Sequence, residues 1–169
     1  MRSSAASAAL LTLLAACTAA PAPTSPDASV SLMNGNAKPV SRPIRGSCSL
    51  AFNPPPQPPP PVFHQVDTGT CIIAHLGKTA FYGEQDINFF AGTQSGWRRL
   101  TSANGDELHG IHSGTSSLIG PGLVGFSATM TIVGGTGRFE GATGSLQLDG
   151  VASLAAQSTQ VSMNGTITY

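Results

Sequence analysis

One stretch of the chain has the densest row of side chains that could do acid–base chemistry. These side chains stand at every second position: Tyr82, Glu84, Asp86 and Asn88. Residues two apart on a strand lie on one face, and carboxylates held close together shift each other's pKa. Turned inward in a barrel, this row would form a polar lumen. Turned outward it would be a solvated surface, which is favoured by the apolar residues on the opposite face, Phe81, Ile87 and Phe89.

The other reactive side chains do not combine into a known kind of site. His109 and His112 would share a face on a helix, but their odd separation places them on opposite faces of a strand. Trp97-Arg98-Arg99 could stack on, or pair with, acidic residues at a barrel mouth. The sequence lacks a G-x-S-x-G nucleophile elbow and a complete dinucleotide fingerprint. It therefore predicts no metal and no cofactor, and it assigns no catalytic residue.

The composition limits the fold and the partners. Basic and acidic residues number eight each among 169, so the formal net charge is zero. This balance argues against nucleic acid as a partner, because phosphates are bound by a basic surface. The 20 glycines and 13 prolines disfavour a helical protein. Hydrophobic residues make up 40% of the chain, which is enough for a core.

Alternation at period two recurs along the chain and predicts an all-β fold. In the clearest case the apolar residues are Val124, Phe126, Ala128, Met130 and Ile132. About eight strands are expected, near 43–52, 70–76, 79–90, 96–102, 106–117, 122–133, 144–151 and 159–168. Short antiparallel strands at this spacing form a sandwich or a closed barrel. The interior of an eight-stranded barrel is filled by side chains or holds one small ligand.

The first 16 residues are typical of a secretory signal peptide, with Arg2 before an apolar run too short to span a membrane. The run ends in Leu14-Ala15-Ala16-Cys17, which resembles the lipobox of bacterial lipoproteins. The resemblance implies that Cys17 is lipidated and anchors the protein to a membrane of the bacterial cell envelope. In a Gram-negative host this would be the outer membrane. The alternative is an ordinary secreted protein, cut after Ala16 or Ala20.

Three further segments complete the organisation of the chain. Residues 17–40 lack periodicity and are rich in Ala, Pro, Ser and Thr, which predicts a flexible, disordered tether. Residues 41–169 form the predicted folded domain. Within this domain, residues 54–61 hold seven prolines and predict a projecting polyproline II loop. This loop is either a docking strut for a partner or a rigid insertion.

Cys48 and Cys71 are the two cysteines that remain when Cys17 is lipidated. They fall near or on the first two predicted strands, where antiparallel neighbours are close enough to bridge when their registers agree. A secreted protein also meets an oxidising environment. We therefore expect a Cys48–Cys71 disulfide, with two buried, unpaired cysteines as the alternative.

The stretch MTIVGGTGRFEGATGSLQL, residues 130–148, resembles the strand–turn–strand signature of the allene oxide cyclase and dirigent barrels. The matching residues are Gly134, Gly135, Gly137, Phe139, Glu140, Gly141 and Gly144. The resemblance implies an eight-stranded antiparallel β-barrel, with Phe139 plugging one end of the core. It carries no catalytic residue across, because the stretch 44–52 lacks the carboxylate and the asparagine of the plant cyclases.

Three functions remain open at this point. The first is a noncatalytic, membrane-tethered barrel that binds a small hydrophobic ligand or has a structural role in the envelope. The second is an isomerase or cyclase of a hydrophobic substrate, which would need Glu84 or Asp86 to face the lumen. The third is a protein-interaction or adhesive module that uses the loop 54–61.

The lipid anchor can be tested directly. Cells that express the full chain and are fed labelled palmitate should incorporate the label, whereas a Cys17→Ser variant should not, because the lipid is attached to the sulfur. A Cys48→Ser/Cys71→Ser double variant serves as the control and should retain the label. An unlabelled wild-type protein would contradict the anchor.

Overall fold

The structure is a computed structural model that describes residues 38–56 and 59–169, so the predicted signal peptide, Cys17 and nearly all of the predicted tether lie outside it. Within these residues the chain forms eight antiparallel strands and a 3-10 turn, Gly137–Phe139. The strands are β1 (Ser41–Phe52), β2 (Val62–Ile73), β3 (Gly77–Asn88), β4 (Thr93–Ser102), β5 (Glu107–Gly120), β6 (Leu123–Gly135), β7 (Thr143–Ser153) and β8 (Ser158–Thr168). Consecutive strands pair, and β1 also pairs with β8. The predicted all-β, eight-stranded antiparallel barrel is confirmed.

The connections between strands divide between the two ends of the barrel. One end, here called the open end, carries the loops 53–61, 89–92, 121–122 and 154–157. The other, the closed end, carries the turns 74–76, 103–106 and 136–142 and both ends of the folded domain. There, the backbone N–H of Val40 donates to the carbonyl oxygen of Tyr169 at 3.0 Å. None of the helical structure in the described part of the chain is long and apolar enough to cross a membrane.

The glycine-rich turn after β6 fills the closed end. The Phe139 side chain is fully buried, and its ring packs edge-on against Tyr169 with 5.1 Å between the centroids. Gly137 adopts a φ of +58°, a conformation that side chains disfavour. A Cβ atom at Gly135 would collide with the carbonyl oxygen of Glu107 on β5. These residues therefore shape and seal the closed end.

The strand β2 begins at Val62, eight residues before the position expected from the sequence. In this missed segment the buried, inward-facing residues include Gln65 and Asp67, whereas Val66 is only half-buried. The segment therefore lacks the apolar alternation by which strands are recognised. This segment, residues 62–69, carries two of the polar residues that define the candidate site.

Cys48 and Cys71 lie directly opposite each other in the β1–β2 register and form a disulfide. The expected pairing is thereby confirmed. Both residues are buried in the apolar core, next to the half of the lumen that lies toward the closed end. The bond ties the first two strands together across a sequence separation of 23 residues.

Removal of this bond should measurably destabilise the barrel. Closing a chain segment of this length restricts the unfolded state by about 3 kcal/mol. The Cys48→Ala/Cys71→Ala variant should lose about that much free energy of unfolding in urea. A reductant should lower the stability of the wild type but leave the variant unchanged. Alkylation of both thiols in the native, unreduced protein would contradict the bond.

Candidate functional site

The lumen of the barrel has two different halves. Toward the closed end it is filled by fully buried apolar side chains, among them Ile44, Leu100, Leu108, Leu146 and Ile167. Toward the open end the buried side chains include seven polar or charged ones: Gln65, Asp67, Gln85, Gln94, Arg98, His112 and Thr159. All but Thr159 lie on the four consecutive strands β2–β5. The polar residues therefore occupy one wall of the lumen, opposite apolar residues of the remaining strands.

Asp67 is the carboxylate in this wall. Gln65 Nε2 donates to its Oδ1 at 2.7 Å, and Gln85 Nε2 donates to its Oδ2 at 2.8 Å. Burial raises the pKa of Asp67 above its ordinary value, while these hydrogen bonds and the charge of Arg98 oppose the rise. Both carboxylate oxygens are thus held by neutral side chains.

Arg98 projects from β4 into the lumen between two glycines. Its register partners are Gly83 on β3 and Gly110 on β5. A Cβ at Gly83 would lie 3.2 Å from Cγ of Arg98, so the glycine leaves room for the long side chain. The guanidinium also stands over the ring of Phe81, 5.7 Å from its centroid. Burial lowers the pKa of Arg98 to about 10, against an opposing effect of Asp67, so the group remains charged at neutral pH.

His112 completes the polar wall from β5. Its Nε2 atom lies 3.2 Å from Nη2 of Arg98 and 3.1 Å from Oε1 of Gln85. Toward Arg98, whose guanidinium can only donate, Nε2 has to accept, whereas toward the amide oxygen of Gln85 it has to donate, so a given tautomer of the ring makes one of these two hydrogen bonds. Burial and then the charge of Arg98 lower the pKa of His112 to about 3. At neutral pH the ring is therefore uncharged.

Two connected spaces lie above this wall. A cavity of about 30 Å³ inside the lumen is lined by Asp67, Gln85 and Arg98 and by apolar residues of the facing wall. A wider pocket of about 310 Å³ lies at the open end, between the loops. The residues that line both spaces are Pro55, Phe89, Ser116, Val124 and Leu154. Together they form an apolar mouth with a polar floor.

The rim of the mouth is apolar and uncharged. Its four loops, 53–61, 89–92, 121–122 and 154–157, contain no Asp, Glu, Lys, Arg or His. Large apolar side chains are exposed there, including Phe90 at 86%, Leu118 at 73% and Ile119 at 58%. Exposed apolar side chains clustered around a pocket are typical of a binding surface.

The row Tyr82, Glu84, Asp86 and Asn88 lies on the outer face of β3, since its alternating neighbours Phe81, Gly83, Gln85 and Ile87 are the buried ones. The interpretation in which this row lines the lumen is therefore wrong, and the outward alternative holds. Tyr82 Oη donates to Glu84 Oε1 at 2.6 Å, which raises the pKa of Tyr82. His64 Nδ1 lies 2.9 Å from Asp86 Oδ1.

The two neighbouring histidines of β5 face opposite ways, as their spacing predicts. His112 is buried in the lumen, whereas His109 is on the outside, with Nε2 3.0 Å from Oε2 of Glu107. Trp97 and Arg99 also point outward and pack on Tyr82, so that only Arg98 of this run enters the barrel. Among the described residues no group of three or more His, Cys, Asp or Glu could hold a metal ion.

Sequence reasoning missed most of the polar wall, although a signal was present. Gln85 shares a face with the apolar Phe81 and Ile87, which already places it inside. His112 shares a face with Leu108 in the same way.

Comparison of the chain with protein-family models, with curated proteins and with solved structures gave no match.

The buried histidine should make stability depend on pH. Its folded pKa of about 3 lies below the unfolded value of 6.5, so its contribution is full above pH 6.5 and is lost as the pH falls toward 3. Between pH 7 and pH 5 this loss amounts to about 2 kcal/mol. A His112→Gln variant should therefore show a smaller fall in the free energy of unfolding over this range than the wild type.

The comparison has a control on the same strand. His109→Gln removes an outward-facing imidazole that contacts Glu107, and its slope in urea unfolding gives the effect of losing a histidine of this strand that lies outside the lumen. Asp67 acts in the opposite sense, because its raised pKa gives a contribution that is present below pH 3.8 and is lost as the pH rises through the folded value. Asp67 is common to all three proteins. Equal slopes in the wild type and His112→Gln would contradict the buried neutral ring.

Proposed function

We propose that this protein is a lipid-anchored lipoprotein of the bacterial cell envelope whose barrel binds a small hydrophobic or amphipathic ligand at its open end, without catalysis. The observation that carries the proposal is the mouth itself. It is concave, lined by Phe89, Val124 and Leu154, and floored by buried polar groups. Ligand sites in proteins commonly combine an apolar lining with a few placed polar groups.

The size of the space limits the ligand. About 310 Å³ in the mouth is near the lower end of ligand pockets, and the lumen below it holds only about 30 Å³ more. Toward the closed end the core residues leave the barrel packed. The ligand is therefore small, with one end in the lumen and its apolar body between the loops.

The arrangement of the folded domain suits a tethered binding protein. Residues 38–40 join β1 at the closed end, so the chain enters the barrel at the end opposite the mouth. Anchored through Cys17, the domain would keep its mouth accessible at the membrane surface. The lipobox resemblance supports the anchor, and the resemblance of residues 130–148 to the allene oxide cyclase and dirigent barrels supports a barrel that holds an apolar compound.

The two alternatives have narrower support. An isomerase or cyclase could not use Glu84 or Asp86, which face outward, and would have to use Asp67, whose oxygens are already hydrogen-bonded. An interaction module would use the proline-rich loop 54–61. However, Pro55 and Pro59 of this loop line the mouth, which favours a part in ligand binding.

Ligand binding can be tested with a neutral fluorescent probe, N-phenyl-1-naphthylamine. Its fluorescence should rise on addition of the wild-type protein. In Val124→Glu a carboxylate would enter the apolar mouth, where desolvation is costly, and the affinity should fall at least about tenfold, which corresponds to 1.4 kcal/mol.

Val133→Glu is the matched control, because Val133 is on the same strand but exposed on the outer face. This variant should bind the probe as the wild type does. Failure of the wild type to bind, or equal binding by both glutamate variants and the wild type, would contradict a ligand site at the open end.

A further inference from the structure

Arg98 is a buried positive charge without a counterion in contact. The side chain is 4% exposed, yet none of the ion pairs formed within 38–56 and 59–169 includes it. Asp67 is held by Gln65 and Gln85 and acts on Arg98 through its charge without forming an ion pair with it. A buried charge that no counterion contacts is costly. The burial of Arg98 therefore contributes little to the stability of the fold by itself.

The guanidinium also has unused donors. Both of its hydrogen bonds within the described residues involve Nη2, one to Gln85 at 3.5 Å and one to His112 at 3.2 Å. An arginine carries five N–H groups in a rigid, planar fork that matches a carboxylate. The Nε and Nη1 atoms are thus left to meet another acceptor in the cavity that Arg98 lines.

Two more buried polar groups in the same cavity lack a partner. Nε2 of Gln94 and Oγ1 of Thr159 are fully buried and make no hydrogen bond to any described residue. Both residues line the cavity beside Arg98, Gln94 from the start of β4 and Thr159 from the start of β8. Buried polar groups are nearly always satisfied in native proteins. Three donors converging on one space therefore point to a ligand with acceptor oxygens.

We propose that this cavity binds the carboxylate of a small apolar monocarboxylic acid, with the guanidinium of Arg98 as counterion and Gln94 and Thr159 as additional donors. The inference rests on the proposed ligand site and specifies its chemistry. The apolar body of the acid would lie in the mouth, against Phe89 and Val124. No covalent step is involved.

Size and charge select a carboxylate among the acceptor groups. A water molecule needs about 10–15 Å³ by this measure, so the cavity of about 30 Å³ holds a group of two oxygens rather than a phosphate. The titratable side chains that face the lumen are Arg98, Asp67 and His112, and at neutral pH Arg98 is charged and His112 is neutral. Asp67 accepts hydrogen bonds from Gln65 and Gln85 and forms no ion pair with Arg98. A bound carboxylate would supply a negative charge in contact with the Nε and Nη1 atoms of the guanidinium.

The test compares two probes that share an apolar body, 4-phenylbutyrate and 4-phenylbutanol, by isothermal titration calorimetry on the folded protein. The acid should bind the wild type more tightly than the alcohol. Arg98→Met keeps the unbranched stem but removes the charge, and it should weaken the acid about 10- to 100-fold, as expected for a charged hydrogen bond. The affinity for the alcohol should change by less than about threefold.

Thr159→Val is the second variant, because it removes one unpaired hydroxyl with almost no change in shape. It should fold as the wild type does and should weaken the acid about fivefold. Thr131→Val, an exposed threonine on the outer face of β6, is the matched control and should leave both affinities unchanged.

The outcomes separate the two proposals. Selective loss of acid binding in Arg98→Met and Thr159→Val supports the carboxylate site. Equal binding of acid and alcohol, with both variants unable to discriminate between them, would overturn the carboxylate site and leave the apolar ligand pocket standing. If neither probe binds the wild type at millimolar concentration, both proposals are overturned. Should Arg98→Met fail to fold, the comparison of the two probes on Thr159→Val decides the matter.

Discussion

The ladder between β1 and β8 is the constraint on which the other features of this protein depend. It registers Ser41–Ala51 against Ser158–Thr168 and converts a meander of hairpins into a ring. In a closed ring no strand can slip by one residue without turning all of its inward side chains to the solvent. The ring therefore fixes the inward set of every strand at once. This is why a residue as poorly suited to burial as Arg98 can be held inside.

The inward set is unevenly distributed around the ring, and this distribution defines the site. The strands β2–β5 contribute amides, a carboxylate, a guanidinium and an imidazole, whereas the facing strands contribute side chains such as Leu50, Phe126 and Val161. Gly83 and Gly110 are the register partners of Arg98, and Gly83 gives the arginine stem its space, whereas a Cβ at Gly110 would collide with Met130. The lumen is thus amphipathic across its width, and it changes along its length from a packed core to an open mouth.

The sequence was sufficient wherever the inward residues are apolar. The alternation of Val124, Phe126, Ala128, Met130 and Ile132 predicted β6 and its inner face correctly. It failed where the inward residues are polar, because hydrophobic periodicity identifies a strand by assuming that its buried face is apolar. The first half of β2 was lost for this reason.

The same assumption hid the candidate site. The sequence pattern points to Glu84 and Asp86 on the more polar face of β3, whereas the lumen receives Gln85 from the other face. Asp67 lay in the missed part of β2, and the pairing between distant strands that brings it to Gln85 and Arg98 is a property of the ring. The alternation of faces along each strand is enough to place Gln85 and His112 inside the barrel. It does not show that the two residues lie beside each other.

The charged residues are distributed so that a ligand entering the barrel meets them last. The open-end loops carry none, so a ligand that enters the mouth first meets apolar side chains and prolines. Next come the neutral donors Gln94 and Thr159, near the ends of their strands. The guanidinium of Arg98 lies below them, where it contacts Gln85 and His112, the register partners of Gly96. An ion must shed its water before it reaches that charge, and this penalty grows steeply with the ion's own charge. The order of the lining therefore favours a singly charged head that leads an apolar body into the barrel.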